Sequence, residues 1–144
     1  MIISKTPFRI PIAGGGTDLE FYFRKKGSTF YSLAINQYVY VFLTPRTIDD
    51  KYLIQTTSTQ FVKSLNQIKH HLIRETIRFF KIKEPLHIGT YATVPTLTGL
   101  GSSSSLVVGL INCILKYKKI KIKDKEVIST AFKIERKICG NAGG

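Results

Sequence analysis

A chain of 144 residues, 43% of them hydrophobic, is long enough to form one domain with a buried core. Its formal net charge of +13 could attract nucleic acid or phosphorylated small molecules, and it fits a lysine-rich solvated surface equally well. The lysines of residues 116–126 lack the interleaved aromatic residues and arginines that single-strand binding uses, so charge alone does not indicate nucleic-acid binding.

The cysteines and the apolar runs exclude further classes of protein. Cys113 and Cys139 are the only cysteines, and their spacing indicates neither a disulfide framework nor a zinc site. The first residues do not have the pattern of a signal peptide, and no apolar run approaches the ~18 to 20 residues needed to cross a bilayer. We therefore predict a cytoplasmic protein without a membrane partner.

The first third of the chain predicts strands. Apolar and polar side chains alternate over residues 1–13, and this strand ends at three consecutive glycines. Residues 28–35 and 38–44 predict two further strands, joined by a hairpin at Asn36 and Gln37.

Helices and strands mix in the remainder. Residues 51–57 predict a short strand, and apolar side chains near helical spacing predict a helix over residues 61–80. A strand at 86–94 leads into a loop and a nearly all-apolar helix over about 103–115, and a last helix begins at Asp124 as its N-cap. The predicted fold class is therefore α/β or α+β.

The stretch PTLTGLGSSSSLV, residues 95–107, is a loop at the edge of the core. Ser105 runs directly into apolar residues, which indicates a strand-to-helix turn rather than a flexible linker. Such a turn offers unpaired backbone N–H groups and the positive end of a helix dipole to an anion, and its glycines allow close approach. The absence of acidic residues between Thr90 and Ile122 favours phosphate. The alternative is that the serines only cap a buried helix.

Two common phosphate loops do not fit this stretch. The P-loop needs a lysine after its second glycine, and none follows Gly101. The dinucleotide fingerprint needs a third glycine where Ser104 stands.

Two segments carry a family resemblance. PTLTGLGSSSSL resembles the second signature of the GHMP kinases, P-x-x-x-G-L-G-S-S-[AS]-[AS], and TPFRIPIAGGGTDL (6–19) resembles their first signature. The AGGGTDL form is most similar to the branch that contains D-glycero-D-manno-heptose 7-phosphate kinases and fucokinase-like enzymes. The resemblance implies a two-layer fold like domain 2 of ribosomal protein S5, with an antiparallel-rich sheet on one side and helices on the other.

The same resemblance implies ATP and Mg²⁺ as cofactors. The expected nucleotide-binding residues are Pro95, Gly99, Leu100, Gly101, Ser102, Ser103 and Ser104. Ser103 and Glu135 correspond to the family's magnesium ligands. Independently, Ala131, Glu135 and Ile138 share a helical stripe, so Glu135 points from an apolar face. The alternative for Glu135 is a partly exposed carboxylate paired with a lysine.

For the acceptor side, the resemblance implies a sugar or sugar-phosphate site. The expected acceptor-binding residues are Arg9, Gly15, Gly16, Thr17 and Asp18. Asp18 could instead cap the following segment, and the two roles are compatible. His70, His71 and His87 receive no role, and the adjacent pair is expected on the surface.

The resemblance also predicts the domain organisation. Residues 1–144 correspond to the family's N-terminal ATP-binding domain, apparently truncated, without the C-terminal domain. The family's catalytic aspartate is expected just beyond Gly144, so no catalytic residue is predicted within the chain. We expect a kinase of the heptose 7-phosphate type that is inactive or nearly so without a C-terminal half or partner chain. The alternatives are a fucokinase-like or galactokinase-like hexose kinase, a non-catalytic nucleotide-binding module and a basic nucleic-acid-binding domain.

Overall fold

A computed structural model describes residues 1–14, 20–95 and 98–141, and its centre is one mixed β-sheet. The strands are β1 (Ile2–Ala13), β2 (Tyr31–Pro45), β3 (Tyr52–Gln55), β4 (Thr59–Val62) and β5 (Leu86–Ala92). Their order in the sheet is β1-β2-β5-β3-β4. The β3–β5 pair is parallel and the other pairs are antiparallel. This arrangement confirms the predicted α/β class with an antiparallel-rich sheet.

The helices form the second layer. They are α2 (His71–Phe79), α3 (Ser102–Tyr117) and α4 (Asp124–Phe132), with a 3₁₀ turn at Leu65–Gln67 and a π-helical segment at Lys133–Ile138. A short helix, α1 (Glu20–Lys26), lies between β1 and β2 in the chain. Helix α3 packs on β1 and β2, while α2 and α4 pack against α3. No helix within the described ranges is long and apolar enough to span a membrane.

Apolar side chains from both layers build the core. Strand residues such as Val41, Leu43 and Ile88 meet α2 and α3 residues such as Ile77 and Ile114, and all of these are fully buried. Helix α3 is apolar on most of its circumference because the sheet covers one side and α2 and α4 cover another. Burial of this helix fixes the position of the loop that precedes it.

The predicted hairpin at Asn36 and Gln37 is wrong, because β2 is one continuous strand. Its register with β1 shifts where Pro7 pairs with Tyr38 and Arg9 pairs with Ala34, so three residues of β2 lie opposite Phe8. This bulge bends the strand without reversing it. A two-residue hairpin of the favoured type needs positive φ angles, which neither Asn36 nor Gln37 has.

The predicted helix over residues 61–80 is correct only in its second half. Residues Thr59–Val62 form β4, and α2 begins at His71. Between them Ser64 starts the 3₁₀ turn, where its backbone N–H donates to Gln67 Oε1 at 3.1 Å. The apparent helical spacing therefore combined side chains from a strand and a helix.

The last predicted helix begins where expected. Helix α4 starts at Asp124, and its N-cap is Lys123, one residue earlier than predicted. The Glu126 carboxylate accepts a hydrogen bond from the Lys123 backbone N–H at 2.8 Å, which satisfies one helix-terminal donor.

Candidate functional site

The loop between β5 and α3 adopts a backbone that suits glycine. Gly99 and Gly101 have φ angles of 72° and 76°, in the left-handed region that other residues rarely enter. Gly101 is the N-cap of α3 and has no side chain to cap it. The first intrahelical bond to Gly101 comes from the Ser105 N–H at 2.9 Å, so the N–H groups of Ser102–Ser104 have no intrahelical acceptor. The predicted strand-to-helix turn with an uncapped helix start is present, and anion binding there stays a prediction.

Strand β1 holds this loop in place. Arg9 Nη1 donates to Gly99 O at 2.8 Å, and the Arg9 backbone N–H donates to Leu100 O at 3.1 Å. Ser105 Oγ donates to Pro7 O at 3.0 Å. Arg9 thus positions the loop, and its predicted contact with substrate stays a prediction.

Two serines of α3 contact a buried carboxylate. Ser103 Oγ donates to Glu135 Oε1, and Ser104 Oγ donates to Glu135 Oε2 at 2.6 Å. Glu135 is only 4% exposed, and it takes no part in the ion pairs of the described residues. The alternative of an exposed Glu135 paired with a lysine is therefore wrong. We call these three residues the serine–carboxylate cluster.

Glu135 lies in the π-helical segment that continues α4. The Cys139 N–H donates to Ile134 O, five residues earlier, at 2.9 Å. This wider turn changes the buried stripe: Ile134 and Glu135 are buried, whereas Ile138 is 43% exposed. The predicted stripe through Ile138 is wrong because it assumed α-helical spacing. Single π-helical turns occur frequently at functional sites.

Two cavities border the serine–carboxylate cluster. The first, about 680 Å³, is lined by Pro95, Ser102 and Ser103 on the loop side. Its other walls include Phe8, Val39, Thr90, His70, His71, Leu72, Leu106 and Asn141. The second, also about 680 Å³, is lined by Ser104 and Glu135. Its other described walls are Gly27, Ser28, Phe30, Val108, Ile128, Ala131, Phe132 and Arg136. The cluster therefore faces two separate spaces.

The adjacent histidines line the first cavity, which sequence reasoning missed. His71 is exposed and lies 3.1 Å from Asn141 Oδ1 through Nε2, while His70 is half-buried and stacks on the His71 ring. Burial, followed by the neighbouring His71, lowers the pKa of His70. The predicted surface position is confirmed for His71 and is wrong for His70, which is half-buried. His87 lies on β5 and contacts Gln55 at 2.6 Å, away from both cavities.

The structure brings the predicted nucleotide-binding residues together at the N-terminus of α3. Pro95, Ser102 and Ser103 line the first cavity, and Ser103 and Ser104 contact Glu135. The predicted acceptor residues Gly15, Gly16, Thr17 and Asp18 lie outside the described residues.

The serine–carboxylate cluster has the chemistry of a magnesium site. A serine hydroxyl and a carboxylate are hard oxygen donors, and Mg²⁺ commonly takes one or two protein ligands while phosphate and water fill the remaining positions. Glu135 is a buried carboxylate with no ion pair among the described residues, and such a group is stabilised by a cation. The described residues contain no group of three or more His, Cys, Asp or Glu side chains that could hold a metal alone. Ser103 and Glu135 therefore fit an ion that is shared with a phosphate.

Comparison with known proteins decides the family. The family model described as "GHMP kinases N terminal domain" matches residues 63–144, more than half of the chain. The chain belongs to the GHMP kinase family. The match contains both the loop and Glu135, so the GHMP kinase resemblance of the loop is confirmed.

Curated GHMP kinases align with most of the chain. The D-glycero-alpha-D-manno-heptose 7-phosphate kinase of Campylobacter jejuni is 30% identical over 155 residues, covering 99% of this chain and 45% of that protein. The mevalonate kinase of Saccharolobus solfataricus is 30% identical over 106 residues, covering 65% of this chain and 34% of that protein. The chain thus spans less than half the length of both relatives.

A solved GHMP kinase has the same fold. The crystal structure of a D-glycero-D-manno-heptose 1-phosphate kinase from B. thetaiotaomicron superposes with a TM-score of 0.88 at 28% identity. The superposition covers 100% of this chain and 51% of that chain. The sheet and helices described above are therefore the N-terminal fold of a GHMP kinase.

Proposed function

We propose that this chain is the nucleotide-binding and acceptor-binding part of an ATP-dependent kinase for a sugar or sugar phosphate of the heptose class. The observation that carries the proposal is the serine–carboxylate cluster, placed at an uncapped helix N-terminus in a GHMP kinase fold. Relatives named as heptose phosphate kinases support the acceptor class.

The nucleotide's phosphates bind at the start of α3. The N–H groups of Ser102, Ser103 and Ser104 and the helix dipole attract the negative charge, and the αL glycines let the phosphates approach the backbone. The nucleoside then occupies the first cavity, where apolar side chains such as Val39 and Leu106 pack against the base. ATP accordingly spans from this cavity to the serine–carboxylate cluster.

Ser103 and Glu135 would hold Mg²⁺ beside these phosphates. The ion, when bound, neutralises charge on the phosphate oxygens that would otherwise repel the attacking hydroxyl. The described residues of the chain bind and orient the reactants, since phosphoryl transfer depends mainly on positioning and electrostatics. The chain spans less than half the length of its curated relatives, so we expect it to bind nucleotide with little or no turnover by itself.

Titration calorimetry of the 144-residue chain with Mg²⁺ and a non-hydrolysable ATP analogue tests this proposal. The Ser103→Ala variant removes one proposed metal ligand, and we expect its affinity for the Mg²⁺–nucleotide complex to fall about tenfold or more. Ser129→Ala is the matched control, because Ser129 is exposed, its hydroxyl donates to Glu126 O, and it lines neither cavity. A folded wild-type chain that does not bind the complex, or equal binding by wild type and Ser103→Ala, would contradict the nucleotide site.

A further inference from the structure

The second cavity approaches the serine–carboxylate cluster from a different side than the first. Ser104 and Glu135 line it, whereas Ser102 and Ser103 line the first cavity, and no described residue lines both. A ligand in the second cavity would therefore reach Glu135 without displacing a nucleotide from the first. This is the arrangement that an acceptor needs in a direct transfer from ATP.

The size and walls of this cavity suit a small polyhydroxylated molecule. Its volume of about 680 Å³ lies within the usual range for small-molecule sites. Phe30 and Phe132 are 55% and 46% exposed, so both present ring surface to the space. Ser28 and Ser104 add hydroxyl groups to these apolar walls.

Arg136 is the single cationic side chain among the described residues that line the second cavity. It is half-buried, and its guanidinium carbon lies 5.9 Å from the centre of the Phe132 ring, a contact that favours one orientation. A guanidinium matches the oxygens of a phosphate with two parallel hydrogen bonds. The Glu135 carboxylate in the same wall repels a phosphate, so an anionic group is favoured at Arg136 and a neutral hydroxyl at the cluster.

We propose that the second cavity binds the acceptor, and that Arg136 selects a phosphorylated sugar over the unphosphorylated one by binding its phosphate group. The proposal rests on the proposed kinase function and adds the residue that distinguishes a sugar phosphate from a sugar. It also fixes the orientation of the acceptor, with its phosphate at Arg136 and its reacting hydroxyl toward Ser104 and Glu135.

The test compares D-glycero-D-manno-heptose 7-phosphate with the unphosphorylated heptose by titration calorimetry, with and without Mg²⁺ and the ATP analogue. We expect Arg136→Gln to weaken binding of the phosphorylated sugar tenfold or more and to leave the unphosphorylated sugar and the nucleotide within about twofold. Arg136→Lys keeps the charge but loses the paired donors, so an intermediate loss is expected. Lys137→Gln is the control, since it removes one exposed positive charge from the neighbouring residue, which does not line the second cavity.

Four results would overturn the proposal. Arg136→Gln could weaken both sugars equally, or weaken the nucleotide instead, which would place the guanidinium on the ATP phosphates. Lys137→Gln could match the effect of Arg136→Gln, which would indicate only long-range attraction. The wild-type chain could also show no preference for the phosphorylated sugar. Failure of the nucleotide proposal is seen separately, as absent binding of the ATP analogue, because the sugar titration without nucleotide measures the second cavity alone.

Discussion

At the scale of single residues, Glu135 combines an unfavourable burial with a favourable position. Its carboxylate is almost fully buried and accepts hydrogen bonds from two serine hydroxyls rather than from a cation among the described residues. Burial of an unpaired charge costs free energy, and a bound cation would offset that cost. Glu135 thus fits a residue kept for binding rather than for stability.

Replacement of Glu135 by glutamine should therefore separate stability from function. In metal-free buffer we expect Glu135→Gln to match or exceed the wild-type free energy of unfolding, by up to about 1 kcal/mol, because the amide keeps an acceptor and loses the charge. Urea unfolding with a chelator present measures this difference. Glu126→Gln is the control and should be less stable, since Glu126 accepts from the Lys123 N–H at a helix start. A Glu135→Gln variant clearly less stable than wild type would assign the carboxylate a structural role.

The two cysteines should differ in reactivity. Cys113 is fully buried, its Sγ contacts Val41 O at 3.3 Å, and burial raises the pKa of its thiol to about 11. Cys139 is half-buried, and burial followed by Glu75 raises the pKa of its thiol. A disulfide reagent at pH 8 should label one thiol of the folded chain, Cys139. The labelling rate should increase as the pH rises, because the thiolate is the reactive form. Labelling of both thiols at one rate in the folded chain would contradict the burial of Cys113.

At the scale of elements, the loop and α3 form one unit whose geometry depends on Gly101. Alanine in the left-handed conformation costs about 1 kcal/mol or more, and a Cβ at Gly101 would lie 3.4 Å from the Arg9 guanidinium carbon. We expect Gly101→Ala to lose about that much stability in urea unfolding and to weaken nucleotide binding. Gly99→Ala carries the same backbone cost with no atom near its Cβ, and should weaken nucleotide binding less. Equal nucleotide affinities in the two variants would show that a Cβ beside Arg9 does not disturb the loop.

Helix α2 contributes a pH-dependent stability through Glu75. Its carboxylate accepts hydrogen bonds from Arg78 and from Arg74, and these, led by Arg78, lower the pKa of Glu75. The stabilisation is complete above the unfolded pKa of ~4.3 and is lost as the pH falls through the lower folded pKa. Glu75→Gln should thus be about 0.5 kcal/mol less stable than wild type at pH 7 and nearly equal to it at pH 3.5. A stability difference that is the same at both pH values would assign Glu75 a role other than these ion pairs.

The sequence predicts some elements better than others, for physical reasons. Helix α3 and its loop follow from local signals, since an apolar run after glycines has few alternatives. The continuous β2 does not follow from local signals, because a bulge opposite Phe8 depends on the partner strand. The helical spacing near Phe61 is false because only eight residues separate β4 from α2. A single stretch of sequence therefore contains apolar side chains from a strand and from a helix.

The sequence also predicts only part of the candidate functional site. Ser103 and Glu135 are 32 residues apart, so their contact could be expected from the family resemblance but not from spacing alone. The π-helical turn that buries Ile134 in place of Ile138 is not visible in the residue pattern. The two histidines that line the first cavity also depend on tertiary packing, which a single sequence does not reveal.

At the scale of the whole molecule, two cavities border one serine–carboxylate cluster. The chain that contains them spans about half the length of its relatives. The net charge of +13 adds a long-range attraction for anionic nucleotides and sugar phosphates. Long-range charge alone cannot distinguish one phosphate ligand from another, so specificity has to come from the cluster and the cavity walls. We therefore expect the serine–carboxylate cluster to bind the metal–nucleotide complex.

Electron paramagnetic resonance of Mn²⁺ in place of Mg²⁺ tests this expectation, because the spectrum of the Mn²⁺–nucleotide complex bound to the protein differs from the spectrum of the complex free in solution. In the presence of the ATP analogue, we expect the wild-type chain and Glu126→Gln to bind Mn²⁺ with the same affinity, and Glu135→Gln to bind it about tenfold more weakly or worse. If folded Glu135→Gln bound Mn²⁺ and nucleotide as tightly as wild type, Glu135 would not be a metal ligand and the proposed site would be wrong.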